Sequence, residues 1–143
     1  MAGILKREQK KNLIEAALRA RDGAYIPYSG YAVGAAVLTA EGKIYTGCNI
    51  ENASYGATNC AERTAVFKAV SEGERRFAAI AIAGGKKGDA PDGFAYPCGI
   101  CRQVLKEFAG ERFTVLVAKS PAEFEEYTLE ELLPHGFGGD NLL

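Results

Sequence analysis

A chain of 143 residues, 48% apolar and 24% charged, has the length and make-up of one ordinary globular domain, expected to run over residues 1–143. Its 17 basic and 18 acidic residues are mixed along the sequence and sum to −1, so the basic stripe of a polynucleotide-binding surface is excluded. No apolar run is long enough to cross a membrane, which leaves neither a nucleic acid nor a membrane as an expected partner.

The amino terminus, Met1 to Glu8, turns charged too early for the apolar region of a signal peptide, so the expected location is the cytoplasm. The four cysteines would stay reduced there, which favours metal or redox chemistry over disulfides. Leu13, Ala17, Ala20 and Ala24 share one helical face and predict a helix over about 5–25, broken by Pro27-Tyr28-Ser29-Gly30. Strands are predicted at 32–38 and 43–49, joined by a turn through Glu41-Gly42. A second helix is read over 58–71, with Gly73 as its stop.

The continuously apolar stretch 77–83 reads as a buried central strand. A Gly/Pro/Asp-rich loop at 86–96 leads to a third helix over 98–109, stopped at Gly110, and then a buried strand at 113–118. Thr128 and Glu131 have the spacing of a capping box for a last helical turn through Leu133. An initial hairpin followed by βαβ-like connections predicts a three-layer α/β domain with a mixed sheet.

Two short motifs carry the chemistry. Cys60-Ala61-Glu62 opens the second helix, and Pro97-Cys98-Gly99-Ile100-Cys101 opens the third. Residues three apart share a helix face, so Cys98 and Cys101 can bind one metal together. Helix amino termini lower thiol pKa values and favour the thiolates that zinc needs. Three thiolates leave the fourth tetrahedral position open, as in catalytic zinc sites, and Glu62 remains free to move protons. Arg63 stands where it can offset the thiolate charge, or is simply a surface arginine. The competing readings are a closed structural zinc site with Cys48 as fourth ligand, and a redox pair formed by Cys98 and Cys101 alone. Asn49 and Glu51, an amide and a carboxylate at a strand end, suit a neutral diol better than a phosphate, or are simply a polar turn. His135 has no ligand spacing and reads as a loop residue.

The arrangement is that of the zinc nucleobase deaminases. Over nearly its whole length the chain resembles the small homotetrameric cytidine deaminases. The likeness rests on the segments from Tyr28 to Ala36, Gly47 to Tyr55, Cys60 to Ala65 and Pro97 to Val104, then Leu132-Leu133-Pro134 and Phe137. It implies a three-layer α/β/α sandwich with a mixed five-stranded sheet, one zinc ion per chain, and hydrolytic deamination of cytidine and deoxycytidine in pyrimidine salvage. It implies Cys60, Cys98 and Cys101 as zinc ligands, Glu62 as proton shuttle, and Arg63 as hydrogen-bond donor to the thiolates. It also implies Asn49 and Glu51 on the ribose hydroxyl, Tyr31 on the pyrimidine, and Phe137 closing the site of a neighbouring subunit in a homotetramer. Tyr31 stands where many relatives have Phe, and His135-Gly136 replaces a smaller, more apolar pair. The alternatives are a deaminase of a modified cytosine nucleoside such as blasticidin S, and a non-catalytic zinc-stabilised nucleoside-binding module.

Overall fold

The periodic apolar face near the amino terminus folds as helix α1 (Arg7–Ala20), which buries Leu13, Ile14, Ala16 and Ala17 in a computed structural model describing residues 4–143. The helix is shorter than the 5–25 predicted from spacing. At Arg21–Gly23 it tightens into a 3₁₀ turn. The Arg21 side chain is drawn away to the carbonyls of Ala32, Lys86 and Asp89, at 3.0, 3.1 and 3.0 Å, so the chain turns off the helix axis there.

Strands β1 (Tyr31–Thr39) and β2 (Ile44–Cys48) form the expected antiparallel hairpin, with Gly42 at φ +97° in its turn. Helix α2 (Ala61–Ser71) begins later than 58, because Asn59 is held extended by paired backbone bonds to Ile50, both 2.9 Å. Gly73, at φ +103°, follows that helix as predicted. Strand β3 (Phe77–Lys86) leads through the Gly-rich loop to α3 (Gly99–Phe108). Gly110 is not the stop expected after α3. Ala109 is already extended and begins β4 (Ala109–Ser120), so the helix passes directly into a strand. Strand β5 (Glu123–Thr128) completes a sheet of order β2-β1-β3-β4-β5. Helix α4 (Leu129–Leu132) carries the Thr128/Glu131 capping box and ends one residue before Leu133.

Only β3 and β4 run parallel, and the other neighbours are antiparallel, so the sheet is mixed and five-stranded as the resemblance implied. The alternation of side chains along a strand divides the core into two layers. Ile80, Ile82, Val115 and Val117 face α2 and α3, while Ala79, Ala81 and Leu116 face α1. Burial on both faces explains why β3 is apolar without interruption.

One glycine sets the height of α2 above the sheet. A Cβ on Gly47 would lie 2.4 Å from Ala65 N and 2.7 Å from Ala61 O, so α2 rests directly on the β2 backbone. That contact seats the start of α2 close to the sheet, where Cys60 and Glu62 share a cavity with Tyr31 and Val33 of β1 and Ile82 of β3.

Candidate metal centre

Cys60 is the N-cap of α2 and Cys98 the N-cap of α3, so two helix amino termini converge on one point. Cys101 lies in the first turn of α3, and its N–H donates to Cys98 Sγ at 3.5 Å. The three sulfurs lie within 4.8 Å of one another. Cys60 and Cys98 Sγ are 3.9 Å apart, against about 3.8 Å for two thiolates at tetrahedral corners around zinc. The donor set and its spacing therefore fit zinc with one position to spare. Cys48 lies outside this group, packed towards Gly23, so the closed four-cysteine site lacks its fourth thiol within the chain. The redox reading also fails to explain why Cys60 meets Cys98 and Cys101.

The electrostatics of the cluster follow from its geometry. A hydrogen bond from Cys101, aided by the Arg63 guanidinium, lowers the Cys60 thiol to about 5. Arg63 Nη2 donates to Cys60 Sγ at 3.3 Å. Cys101 moves the opposite way, because it keeps its proton in the bond to Cys60 and is buried besides. Glu62 is only 5% exposed, and burial raises its carboxyl to about 7, with the Cys60 charge acting in the same direction.

Beside the sulfurs opens a cavity of about 290 Å³, lined among others by Tyr31, Asn49, Cys60, Glu62, Tyr96 and Cys98. Tyr31 comes from β1, and its ring rests on Gly84 of β3. A Cβ at Gly84 would stand 3.0 Å from Tyr31 Cε2 and 2.9 Å from Ala95 Cβ. Asn49 is fixed by two bonds to β1, accepting from Val33 N and donating to Tyr31 O, both 2.9 Å.

Glu51 lies outside that lining, in an adjoining depression with Tyr28, Ser29, Tyr55 and Thr58 that shares Thr58 with the cavity. Its carboxylate accepts from Tyr28 N at 3.0 Å, from Ser29 N at 3.1 Å and from the Ser29 hydroxyl. The Ser29 hydroxyl bond is the main reason its pKa is lowered. Phe137 does not line the cavity of its own chain. It is 56% exposed, and its carbonyl accepts from Gln103 Nε2 at 2.8 Å. Tyr96 was not marked by sequence reasoning, and only its position next to Pro97-Cys98 hinted at a place in the site.

Comparison with known proteins agrees with this geometry. Residues 7–117 match the family model described as the cytidine and deoxycytidylate deaminase zinc-binding region. The chain is 47% identical over 133 residues to a cytidine deaminase of Halalkalibacterium halodurans, covering 93% of this chain and 97% of the relative. A crystal structure of cytidine deaminase from Burkholderia pseudomallei superposes with a TM-score of 0.78 at 45% identity, over 88% of this chain and 97% of that one. A blasticidin-S deaminase of Bacillus cereus is more distant, at 32% identity over 71% of this chain and 74% of the relative.

Proposed function

Because this chain belongs to the cytidine and deoxycytidylate deaminase family, we infer that it catalyses zinc-dependent hydrolytic deamination of cytidine, and of deoxycytidine, to the uracil nucleosides and ammonia. The observation that carries the reading is a buried carboxylate, Glu62, beside three convergent thiols and an open cavity. When bound, zinc supplies a Lewis acid that lowers the pKa of a coordinated water to about 7.

Cys60, Cys98 and Cys101 hold the metal in this reading. Arg63 donates to the Cys60 thiolate and softens the negative charge of the three sulfurs. Glu62 accepts a proton from the attacking water and passes it to ring N3 while the water oxygen bonds to C4. The carboxylate then takes the second proton from the new C4 hydroxyl and gives it to the amino nitrogen. Ammonia leaves as the C4–N bond breaks and the C4 carbonyl forms. Burial favours the protonated Glu62 carboxyl, and so makes its carboxylate a stronger proton acceptor than an exposed one. Its burial keeps bulk water from competing for the proton.

Tyr31 packs on the pyrimidine, and Asn49 and Glu51 take the ribose hydroxyls. Hydrogen-bond capacity supports the latter role. A carboxylate offers about four lone-pair sites, and Glu51 uses three within the chain. The Asn49 amide likewise keeps one hydrogen and one lone pair beyond its bonds to β1. The exposed Phe137, outside its own chain's cavity, supports a homotetramer in which it closes a neighbour's site. One domain over residues 1–143, a cytoplasmic location and a role in pyrimidine salvage complete the reading.

The test is the ultraviolet change when zinc-replete protein meets cytidine, with Glu62→Ala as control. The parent should form uridine and ammonia, and the variant should lose about 10⁴-fold in rate with zinc still bound. Substantial activity in the variant would remove Glu62 from its role. An inactive parent with full zinc would move the reading to a modified cytosine nucleoside or to binding alone.

A further inference from the structure

Tyr96 lines the thiol cavity from the loop between β3 and α3, yet its ring is held from outside the site. Its hydroxyl donates to Glu125 Oε1 at 2.5 Å, and Tyr127 donates to the same oxygen at 2.7 Å. Glu125 and Tyr127 lie two apart on the edge strand β5 and so project from one face of it. The Tyr96 ring meets that of Tyr127 edge-on at 6.2 Å between centroids, and Phe94 lies 6.4 Å away. Lys119 Nζ of β4 sits 4.9 Å over the Phe94 ring. The segment 94–96 is thus clamped to β4 and β5 just before it delivers Pro97 and Cys98.

This clamp has a chemical consequence that rests on the cytosine-nucleoside reading. C4 of the base must lie at the sulfurs, and its two ring neighbours are N3 and C5. Glu62, arriving from α2, attends N3. The wall beside Cys98 comes from a different element and is left to the C5 edge. Tyr96 is the large side chain on that wall, one residue removed from Pro97 and two from Cys98. We propose that Tyr96, held in place by Glu125, is a specificity-determining residue that limits the bulk accepted at C5 of the cytosine ring. Glu125 touches no substrate and acts as a positioning residue through the Tyr96 hydroxyl.

The experiment compares kcat and KM for cytidine and 5-iodocytidine in the parent, Tyr96→Ala, Tyr96→Phe and Glu125→Gln, with zinc content measured for each. Tyr96→Ala should raise the 5-iodocytidine to cytidine ratio of kcat/KM by about tenfold or more, the scale on which one group is discriminated in a pocket. Tyr96→Phe and Glu125→Gln should shift the ratio less but in the same direction. Combining those two should add little, because both act on the one Tyr96–Glu125 bond, which Phe removes and the uncharged Gln oxygen weakens. An unchanged ratio with full zinc, or an equal fall for both substrates, would overturn the proposal while leaving the activity standing. A parent inactive on cytidine despite bound zinc would overturn both.

Discussion

The sulfur corner of the cavity and its polar rim are built on different terms. The corner is made by two short motifs at helix starts, and its groups act on one another: Arg63 on Cys60, Cys60 on Cys101 and Glu62. The rim is made by Asn49 and Glu51, whose polar atoms already serve the backbone at 28–33. On the proposed reading a group in the corner is devoted to chemistry, whereas a rim group both shapes the chain and would meet the ligand. Losses in the corner should appear in metal content and kcat, and losses in the rim in KM.

The largest effect expected is at the metal. Cys98→Ala should abolish turnover and release zinc, because two thiols cannot close a three-ligand site. Cys48→Ala, a half-buried thiol outside the cluster, should keep zinc and change activity by no more than about twofold. Zinc analysis beside a cytidine assay checks both. Equal losses in the two variants would erase the distinction between cluster and bystander.

Next in size is the rim. Glu51→Gln loses a charged acceptor and should raise KM for cytidine roughly tenfold to a hundredfold, the worth of a hydrogen bond to a charged group. Zinc content should not move, and kcat should fall much less than KM rises. The substitution also weakens the grip on Ser29, so amide exchange of 28–30 should quicken. A fall confined to kcat would place Glu51 with the corner instead.

The sequence showed the corner more clearly than the rim for a physical reason. Cys60, Cys98 and Cys101 sit at helix starts, and N-caps and three-residue spacings are local properties of the chain. The buried β3 and the Thr128/Glu131 box were legible on the same grounds. Element spacing alone did not mark β5, because Glu123, Glu125 and Glu126 break the apolar alternation of a strand. The family likeness implied that a fifth strand exists but not where it lies. Tyr96 was hidden because its partner, Glu125, lies 29 residues away. The end of α1 was misjudged for a similar reason, since Arg21 answers to carbonyls at 32, 86 and 89.

The corner can also be probed without substrate. A thiol lowered to about 5 is mostly thiolate above that pH, so in metal-free protein Cys60 should alkylate with iodoacetamide readily at pH 6. Its rate should flatten as pH rises further, because little thiol is left to ionise. An ordinary thiol, with a pKa of about 8.5, keeps gaining thiolate up to that pH and beyond. Peptide mapping of the alkylated sites checks the profile, and zinc should suppress the Cys60 reaction. A Cys60 rate that climbs like an ordinary thiol would mean that Cys101 and Arg63 do not stabilise the charge.

Tyr31 gives the smallest change and the sharpest test of where rim meets base. It enters the hydrogen-bond pattern through its backbone, its N–H donating to Ser29 Oγ at 3.0 Å and its carbonyl accepting from Asn49 at 2.9 Å. The ring is located by its seat on Gly84. Tyr31→Phe keeps the ring and the seat, so kcat/KM for cytidine should change by less than about threefold, within the range of a near-isosteric swap. Gly84→Ala puts a methyl at 3.0 Å from the ring and 2.9 Å from Ala95 Cβ, so the ring must move. Its cost should exceed that of Tyr31→Phe several times over and appear in KM, with zinc retained. If the hydroxyl proves to matter more than the seat, Tyr31 reads the nucleoside by a hydrogen bond and not by packing.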